Sequence, residues 1–578
     1  MGGGTWNRRS PWLLAFVMAV VSFAGSLAAL AVSVARSHDS PAPAANAELP
    51  AAGRQGPLTF TGELPATLAG LPLRAAAPGE QPDVAFETGA ADRGVPVRYF
   101  VPVAALGAGV DSLTLDQLKQ LLAGSIGSVS QIGGTEAKPR VAVAGPEADQ
   151  AFQRASGVAP GETFATYAEL RAAMTVASGV VALVPLDEVR APMVALAVDG
   201  VDIVRGRGDP ARWPFVQYLA ATGLTARGRA EAPALQERLR ATVPKATTVV
   251  ATGDILQSRC SLAKIQATGD WGAALRGPVA AYLASADLAL GSLDGSIQDI
   301  GKPWGCVEIT NLTSPPEVIE ALTLAGFDEL TVATNHTLDC GQTYCGARAL
   351  LRTIELLHQA GIKTVGGGAS LDEALAPAIF EVNGTRFGVL GFDDVAAQDF
   401  EATATEPGTA PLDDDYAEER KAGEPAFFRP ASELSLTRFT GSIRTLKQQV
   451  DVVIVQVQSG TEDTHDPSPR SLKALRAAAD AGADLVVGNQ AHWVQAVEPR
   501  GDTFIAYALG NFIFDQVHTP EHTQGYLLEA TFHDKQLVTI RLVPYQIADR
   551  YRPVFAEGPL RAKILGDVAA ASPKLPPP

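Results

Sequence analysis

Basic residues are scarce in this chain of 578 residues: 46 Lys and Arg stand against 63 Asp and Glu, for a formal net charge of -17. Nucleic-acid-binding surfaces need clustered positive charge, and so does a polybasic contact with anionic lipid. The composition therefore speaks against nucleic acid as a partner, although it permits a local cationic pocket for an anionic substrate. A hydrophobic fraction of 46% is sufficient for folded cores.

Cysteine is also rare, and its spacing excludes a zinc finger or zinc ribbon. The four residues are Cys260, Cys306, Cys340 and Cys345. In an exported domain, two disulfides are expected. A bridge between Cys340 and Cys345 would close a small loop, and one between Cys260 and Cys306 would fix the loop after Asp254. Four buried free thiols are the alternative, and four cysteines allow three pairings.

Charge is absent from residues 12–34, which are almost wholly apolar and follow Arg8 and Arg9. A run of this length is long enough to cross a bilayer, and the basic residues before it place the N-terminus in the cytoplasm. Residues 1–38 are therefore predicted to be a single-pass anchor in the cell membrane, with the rest of the chain extracytoplasmic. A signal peptide cleaved near residues 29–31 is the alternative. Residues 39–56, rich in Ala and Pro, are interpreted as a linker.

Residues 57–244 are predicted to form a smaller α/β domain. Thr114 and Gln117 form a capping-box pattern before a helix, and further helices are predicted at 213–223 and 232–241. The domain has no histidine or cysteine, which argues against a metal or thiol site. Residues 101–134 resemble the periplasmic phosphate-binding-protein-like fold. This resemblance implies a binding module for a small anion, or a spacer with a vestigial cleft.

Residues 247–554 alternate apolar strand patterns with helical ones, which predicts α/β layers. Polar side chains follow the ends of several strands. Because the carboxyl ends of strands in open α/β sheets border a crevice, these side chains are expected to meet in one site. They are Asp254, Asp294, Asn335, His336, Gln458, Gln490, His492 and Asn511. The tail, residues 555–578, is predicted to be disordered.

The order of these motifs resembles the CapA family of capsule and poly-γ-glutamate synthesis proteins, within the calcineurin-like metallophosphatase superfamily. The motifs are Gly253-Asp254, the acid at Asp294, Thr334-Asn335-His336-Thr337-Leu338-Asp339, Gln458-Ser459-Gly460, Gly488-Asn489-Gln490-Ala491-His492 and Leu509-Gly510-Asn511-Phe512. The resemblance implies a four-layer α/β/β/α sandwich with a two-metal site at the strand ends. It also implies a part in making, anchoring or handling an anionic cell-surface polymer, with metal-dependent hydrolysis of a phosphoester in a phosphorylated substrate as the chemistry.

The resemblance also implies roles for individual residues. His336 would be the catalytic histidine, Asp339 would orient it, and Asn511 would shape the floor of the site. A divalent ion (Mn, Fe or Zn) would be held by Asp254, Asp294, Asn335, Gln458, Gln490 and His492.

The chain departs from the family pattern at three imidazoles, which are replaced by the amides of Gln458, Asn489 and Gln490. Amide oxygens are poorer donors to a transition metal than imidazole. A catalytically degenerate module that binds a polymer or an anion without turnover is therefore the alternative function. His465, in the loop after Gln458, is a candidate replacement ligand.

Overall fold

The computed structural model describes residues 56–89, 94–157, 159–174, 176, 178–414 and 431–577. The chain divides into two compact units, one within residues 1–87 and 220–239 and the other within 88–219 and 240–578. The predicted membrane span at residues 12–34 lies outside the described residues. Within the described part of the chain, no helix is both long and apolar enough to cross a bilayer.

The smaller unit combines parallel strands with one helix. Strand Leu58–Thr61 pairs in parallel with Leu73–Ala75 and with the start of Val84–Gly89. The helix, Ala226–Leu239, begins where the Thr225 hydroxyl accepts a hydrogen bond from the Gly228 backbone N–H at 3.0 Å. It therefore starts six residues before the predicted helix at 232–241.

Residues 95–219 of the larger unit form a mixed sheet flanked by helices. The predicted capping box is confirmed: Gln117 N donates to Thr114 Oγ1 at 3.1 Å, and Thr114 N donates to Gln117 Oε1 at 2.9 Å. The strands of this sheet are Val95–Ala104, Arg140–Ala144, Glu162–Phe164, Val180–Pro185, Val194–Ala195 and the first part of Val216–Gly223. Ser112–Leu113 and Ala197–Val198 pair in parallel as a separate two-stranded sheet. The helices are Leu115–Leu122, Gly145–Ser156 and Tyr167–Ala173.

The helix predicted at residues 213–223 is wrong. Val216–Gly223 is a strand whose first residues pair antiparallel with Val95–Ala104, from Val216 opposite Tyr99 to Leu219 opposite Val95. The preference of a residue for a strand depends mainly on how its side chain packs against neighbouring strands. The pairing with Val95–Ala104 therefore outweighs the local preference of residues 216–223 for a helix.

The second part of the larger unit contains two large mixed sheets. The first sheet runs Lys363–Val365, Glu329–Thr331, Leu288–Leu293, Ala246–Ile255, Gln524–His533, Gln536–Ala548 and Arg552–Phe555, with Asn511–Ile513 also paired to Ala246–Ile255. The second runs Ala378–Val382, Thr385–Asp393, Val452–Gln458, Leu485–Asn489, Thr503–Ala506 and Val497–Arg500. The predicted α/β class is confirmed.

The two sheets face each other across a shared apolar core. Phe387 of the second sheet packs edge-on against Phe532 of the first, with ring centroids 5.5 Å apart. Separate apolar clusters join the opposite face of each sheet to helices. The helices of this part are Arg259–Thr268, Pro278–Ala284, Ile319–Leu324, Ala347–Gln359, Leu371–Ala374, Thr437–Lys447, Pro469–Asp480 and Gly558–Ala571.

Both predicted disulfides are present, joining Cys260 to Cys306 and Cys340 to Cys345. The predicted disorder of the tail is wrong, because Gly558–Ala571 is a helix with proline in its first turn. Its apolar residues are buried, including Ile564 at 0% exposure. Burial against the rest of the unit stabilises a segment whose composition alone gave little sign of helix.

Residues 193–207 dock on the hairpin formed by Gln524–His533 and Gln536–Ala548. Ala195 N donates to Thr539 Oγ1 at 2.9 Å, and that hydroxyl donates to Met193 O at 2.7 Å. His533 Nε2 lies 2.8 Å from Val204 O. Within the larger unit, this early segment and the late hairpin share one buried interface.

Candidate functional site

Two carboxylates lie at neighbouring strand ends of the first sheet. Asp254 closes Ala246–Ile255 and is paired in register with Ser292, two residues before Asp294. Asp254 and Asp294 are 1% and 0% exposed. Asp254 Oδ2 accepts from Gln490 N at 3.3 Å, and Asp254 Oδ1 makes no hydrogen bond with the described residues. The strand order thus brings two carboxylates together in the protein interior.

Asp294 is fully buried. Neither of its carboxylate oxygens makes a well-formed hydrogen bond with the described residues, although the Thr334 hydroxyl lies nearby. Burial raises the pKa of Asp294 to about 6, the positive charge of His336 opposes the shift, and the negative charge of Asp254 adds to it. A carboxyl with this pKa exchanges a proton near neutral pH.

His492 lies beside both carboxylates. Its Nδ1 is 2.8 Å from Asn511 Oδ1 and 3.4 Å from Asp254 Oδ2. Burial lowers the pKa of His492, but its hydrogen bond to Asp254 and the charges of Asp254 and Asp294 outweigh this effect. The net result is a pKa raised to about 9. His492 is therefore a buried imidazolium that partly neutralises the two carboxylates.

Asn511 reaches this position because strand Asn511–Ile513 pairs with the strand that carries Asp254. The two strands approach closely: a Cβ on Gly253 would lie 1.8 Å from the carbonyl oxygen of Gly510. Only glycine permits this approach at position 253. The Gly253-Asp254 motif is therefore required by backbone contact as well as by the chemistry of the carboxylate.

His336 forms an imidazole–carboxylate pair with Asp339. Nδ1 of His336 lies 2.8 Å from Asp339 Oδ2, and Leu312 N donates to the same oxygen at 2.6 Å. Because a carboxylate only accepts, His336 Nδ1 carries a proton and Nε2 is left for a ligand. Burial lowers the pKa of His336, but the charges of Asp294 and Asp339 raise it above its usual value. Asn335 Oδ1 is buried and makes no hydrogen bond with the described residues.

Two glutamines occupy positions where the family pattern has imidazoles. Gln458 Nε2 donates to Gln490 Oε1 at 2.9 Å, and Gln490 Nε2 donates to Glu462 Oε1 at 3.2 Å. Ser292 Oγ approaches Gln458 Oε1 at 3.4 Å. The amides thus satisfy each other and form one wall of the site. Asn489, the third replacement, has a buried amide with no partner among the described residues.

The predicted site residues fall into one neighbourhood. Electrostatic interactions connect Asp294 with Asp254, His336 and His492. Hydrogen bonds join Gln458, Gln490, Asp339 and Asn511 to these groups, and Asn335 directly precedes His336. His465 is occupied elsewhere, with Nδ1 2.6 Å from Val494 O and its ring against Trp493 at 5.1 Å.

Sequence reasoning missed several groups that surround the site. Arg259 forms an ion pair with Asp515 and lies 5.8 Å from the ring of Phe514, which contacts the ring of His492 at 4.9 Å. Its position five residues after Asp254 was the available signal. Asn311 and Leu312, in a long irregular loop, gave no signal in the sequence.

A two-ion metal centre requires several imidazole and carboxylate donors around each ion. Among the residues that the structure describes, no group of three or more His, Cys, Asp or Glu side chains is placed to hold an ion. Gln458 and Gln490 bind each other where the family imidazoles would be, and His492 Nδ1 faces Asn511 and Asp254. These residues do not fit the two-ion centre that the resemblance implies.

Together, the facing sheets and the polar strand ends define an α/β protein with a buried acid–base site. Residues 248–516 match the family described as "Bacterial capsule synthesis protein PGA_cap". Over this segment the chain is similar to that family, and the predicted resemblance to the CapA family is confirmed.

Two curated relatives match parts of the chain. "PGA biosynthesis protein CapA" of Bacillus subtilis (strain 168) is 32% identical over 207 residues, which are 36% of this chain and 47% of the relative. "Capsule biosynthesis protein CapA" of Bacillus anthracis is 28% identical over 275 residues, which are 47% of this chain and 61% of the relative. The chain thus spans about half of the first relative's length and three fifths of the second's.

Among solved structures, a hypothetical protein from Thermus thermophilus is similar over 52% of this chain and 100% of its own, at 13% identity and a TM-score of 0.31.

Proposed function

We propose that this protein takes part in the synthesis, anchoring or handling of an anionic cell-surface polymer such as a capsule or poly-γ-glutamate. The match of residues 248–516 to the PGA_cap family and the names of the two CapA relatives support this role. A tether at residues 12–34 would hold domains 57–244 and 247–554 outside the membrane, next to such a polymer. The first domain would serve as a spacer or as a receptor for a small anion.

The observation that carries a chemical role is the grouping of Asp294, His336 and His492 with Asp254 in one buried site. Asp339 holds His336 Nδ1, so that Nε2 is the atom that would deliver a proton to the leaving oxygen of a phosphorylated substrate. The carboxylates, His492 and the glutamine wall would orient the reacting group and exclude water.

A second function is favoured by the hydrogen bond between Gln458 and Gln490. This bond satisfies both amides in the resting protein and removes two positions that the family uses for imidazoles. A site of this kind would bind a polymer segment or an anion without turnover.

Purified full-length protein in detergent separates the two functions. Metal content (Mn, Fe and Zn) and hydrolysis of a chromogenic phosphodiester are measured for the wild type, Asp254→Ala and His336→Ala. Metal near one equivalent that is lost in Asp254→Ala, with turnover that is lost in both variants, supports catalysis. Absence of turnover in a folded wild type, with polymer binding that is weaker in the variants, supports the binding module. A wild type that shows neither turnover nor polymer binding contradicts the proposed site.

A further inference from the structure

Asn311 joins two loops at the edge of the site. Its side-chain Oδ1 accepts hydrogen bonds from two successive backbone N–H groups, those of Cys340 at 3.2 Å and of Gly341. These two residues directly follow Asp339. One amide oxygen therefore fixes the backbone at the point where the chain leaves the residue that holds His336.

The residue after Asn311 acts on Asp339 itself. Leu312 N donates to Asp339 Oδ2 at 2.6 Å, and the same oxygen lies 2.8 Å from His336 Nδ1. Asp339 thus lies between a fixed backbone donor and the imidazole. Any movement of residues 311–312 relative to residues 339–341 would change the length or the angle of the His336–Asp339 hydrogen bond.

The loop that carries Asn311 is anchored by contacts that do not involve the acid–base groups of the site. The Cys260–Cys306 disulfide fixes its middle, and Arg259 Nη1 donates to Ile309 O at 2.7 Å. Gln342 N donates to Lys302 O at 2.9 Å, which attaches the second loop to the first. The loop is therefore a rigid reference for residues 339–342.

We propose that Asn311 is a positioning residue that sets the orientation of His336 through the backbone of Cys340 and Gly341 and through Asp339. The catalytic consequence rests on the proposed function, whereas the structural coupling does not. Asn311 has no contact with the carboxylates among the interactions described, so its effect would pass entirely through the two loops.

The test uses full-length protein with 15N-labelled histidine and three variants. Asn311→Ala removes the acceptor, Asn311→Asp keeps an oxygen at the same position, and Asn383→Ala is the matched control. Asn383 also bonds to backbone and side-chain oxygens, at Ala246 and Thr247, outside the site. The readouts are hydrogen exchange at the amides of Cys340, Gly341 and Leu312, and the His336 Nδ1 proton resonance at a fixed pH.

Asn311→Ala is expected to raise exchange at these amides at least tenfold and to broaden or shift the His336 Nδ1 proton. Asn311→Asp should restore the protection and the resonance, and Asn383→Ala should change neither. Faster exchange with an unchanged His336 resonance would limit Asn311 to a local structural role and overturn the proposal. If Asn311→Ala does not fold, failure of Asn311→Asp to preserve the His336 resonance in a folded protein overturns it as well.

The two proposals fail in different ways. A wild-type protein without turnover contradicts catalysis but leaves the exchange and resonance test intact. Conversely, an unchanged His336 in Asn311→Ala contradicts the positioning role even if hydrolysis is found.

Discussion

Arg205 Nε donates a hydrogen bond of 2.6 Å to Glu529 Oε1, and both side chains are 0% exposed. The same carboxylate also accepts from Arg207, Arg541 and the hydroxyl of Tyr282. A buried carboxylate with several cationic partners thus lies where residues 193–207 meet the hairpin. Glu529 belongs to the strand next to the one that carries Asp254.

Glu529→Gln is expected to lower the free energy of unfolding by about 3–5 kcal/mol, because removal of one partner leaves buried guanidinium groups uncompensated. Urea unfolding followed by circular dichroism measures the change. Asp480→Asn is the matched control: Asp480 pairs with Arg500 but is 57% exposed, so the loss should stay below about 1 kcal/mol. Equal losses in the two variants would contradict the role given to Glu529.

The same carboxylate predicts sensitivity to acid. Burial raises the pKa of Glu529, but the charges of Arg541 and Arg205 lower it by a larger amount. The net effect is a pKa well below the usual range of a glutamate. The unfolded state, with a glutamate pKa of about 4.3, therefore binds this proton first. The stabilisation is complete above that pH and is lost as the pH falls below it. Unfolding free energies measured from pH 7 to pH 3 should fall more steeply for the wild type than for Glu529→Gln, and parallel curves would refute this.

Gly253→Ala should disrupt the site by steric contact alone. The added Cβ would lie 1.8 Å from Gly510 O, so one of the two strands that carry Asp254 and Asn511 has to move. A loss of about 3 kcal/mol or more is expected from such overpacking. Gly441→Ala, in helix Thr437–Lys447 with no atom within 4 Å of the new Cβ, should instead stabilise the protein by up to about 1 kcal/mol. Thermal unfolding should show a lower stability for Gly253→Ala and a higher stability for Gly441→Ala.

The two disulfides should contribute unequally to stability. Their cysteines are 46 residues apart for Cys260–Cys306 and 5 apart for Cys340–Cys345. By the loop-entropy relation, the Cys260–Cys306 bridge raises the free energy of the unfolded chain by about 4 kcal/mol and the Cys340–Cys345 bridge by about 2 kcal/mol. Paired Cys→Ser variants, compared by denaturant unfolding, should follow this order. The reverse order would indicate that structure retained in the unfolded state dominates.

Local signals identified much of the fold. The Thr114 capping box and the strand that carries Asp254 were predictable because their patterns depend on neighbours in sequence. The topology of α/β sheets then indicated where Asp294, His336 and His492 would lie. The strand at Val216–Gly223 and the helix at Gly558–Ala571 depend on distant partners, which a sequence pattern does not contain.

The same limit applies to the surroundings of the site. Arg205 and Glu529 are 324 residues apart in the chain, and Asn311 contacts Cys340 and Gly341 across an irregular loop. None of these residues has a distinctive spacing. Their importance comes from burial and from specific hydrogen bonds, which only the folded arrangement provides.

The hydrogen bond between Gln458 and Gln490 makes the two positions interdependent under mutation. If either glutamine alone is replaced by a residue that cannot form this bond, an amide atom of the other is left unpaired inside the protein, at a cost of about 1–3 kcal/mol. Replacement of both glutamines together removes the donor and the acceptor at once and avoids this cost. The pair is therefore expected to tolerate double substitution better than either single substitution.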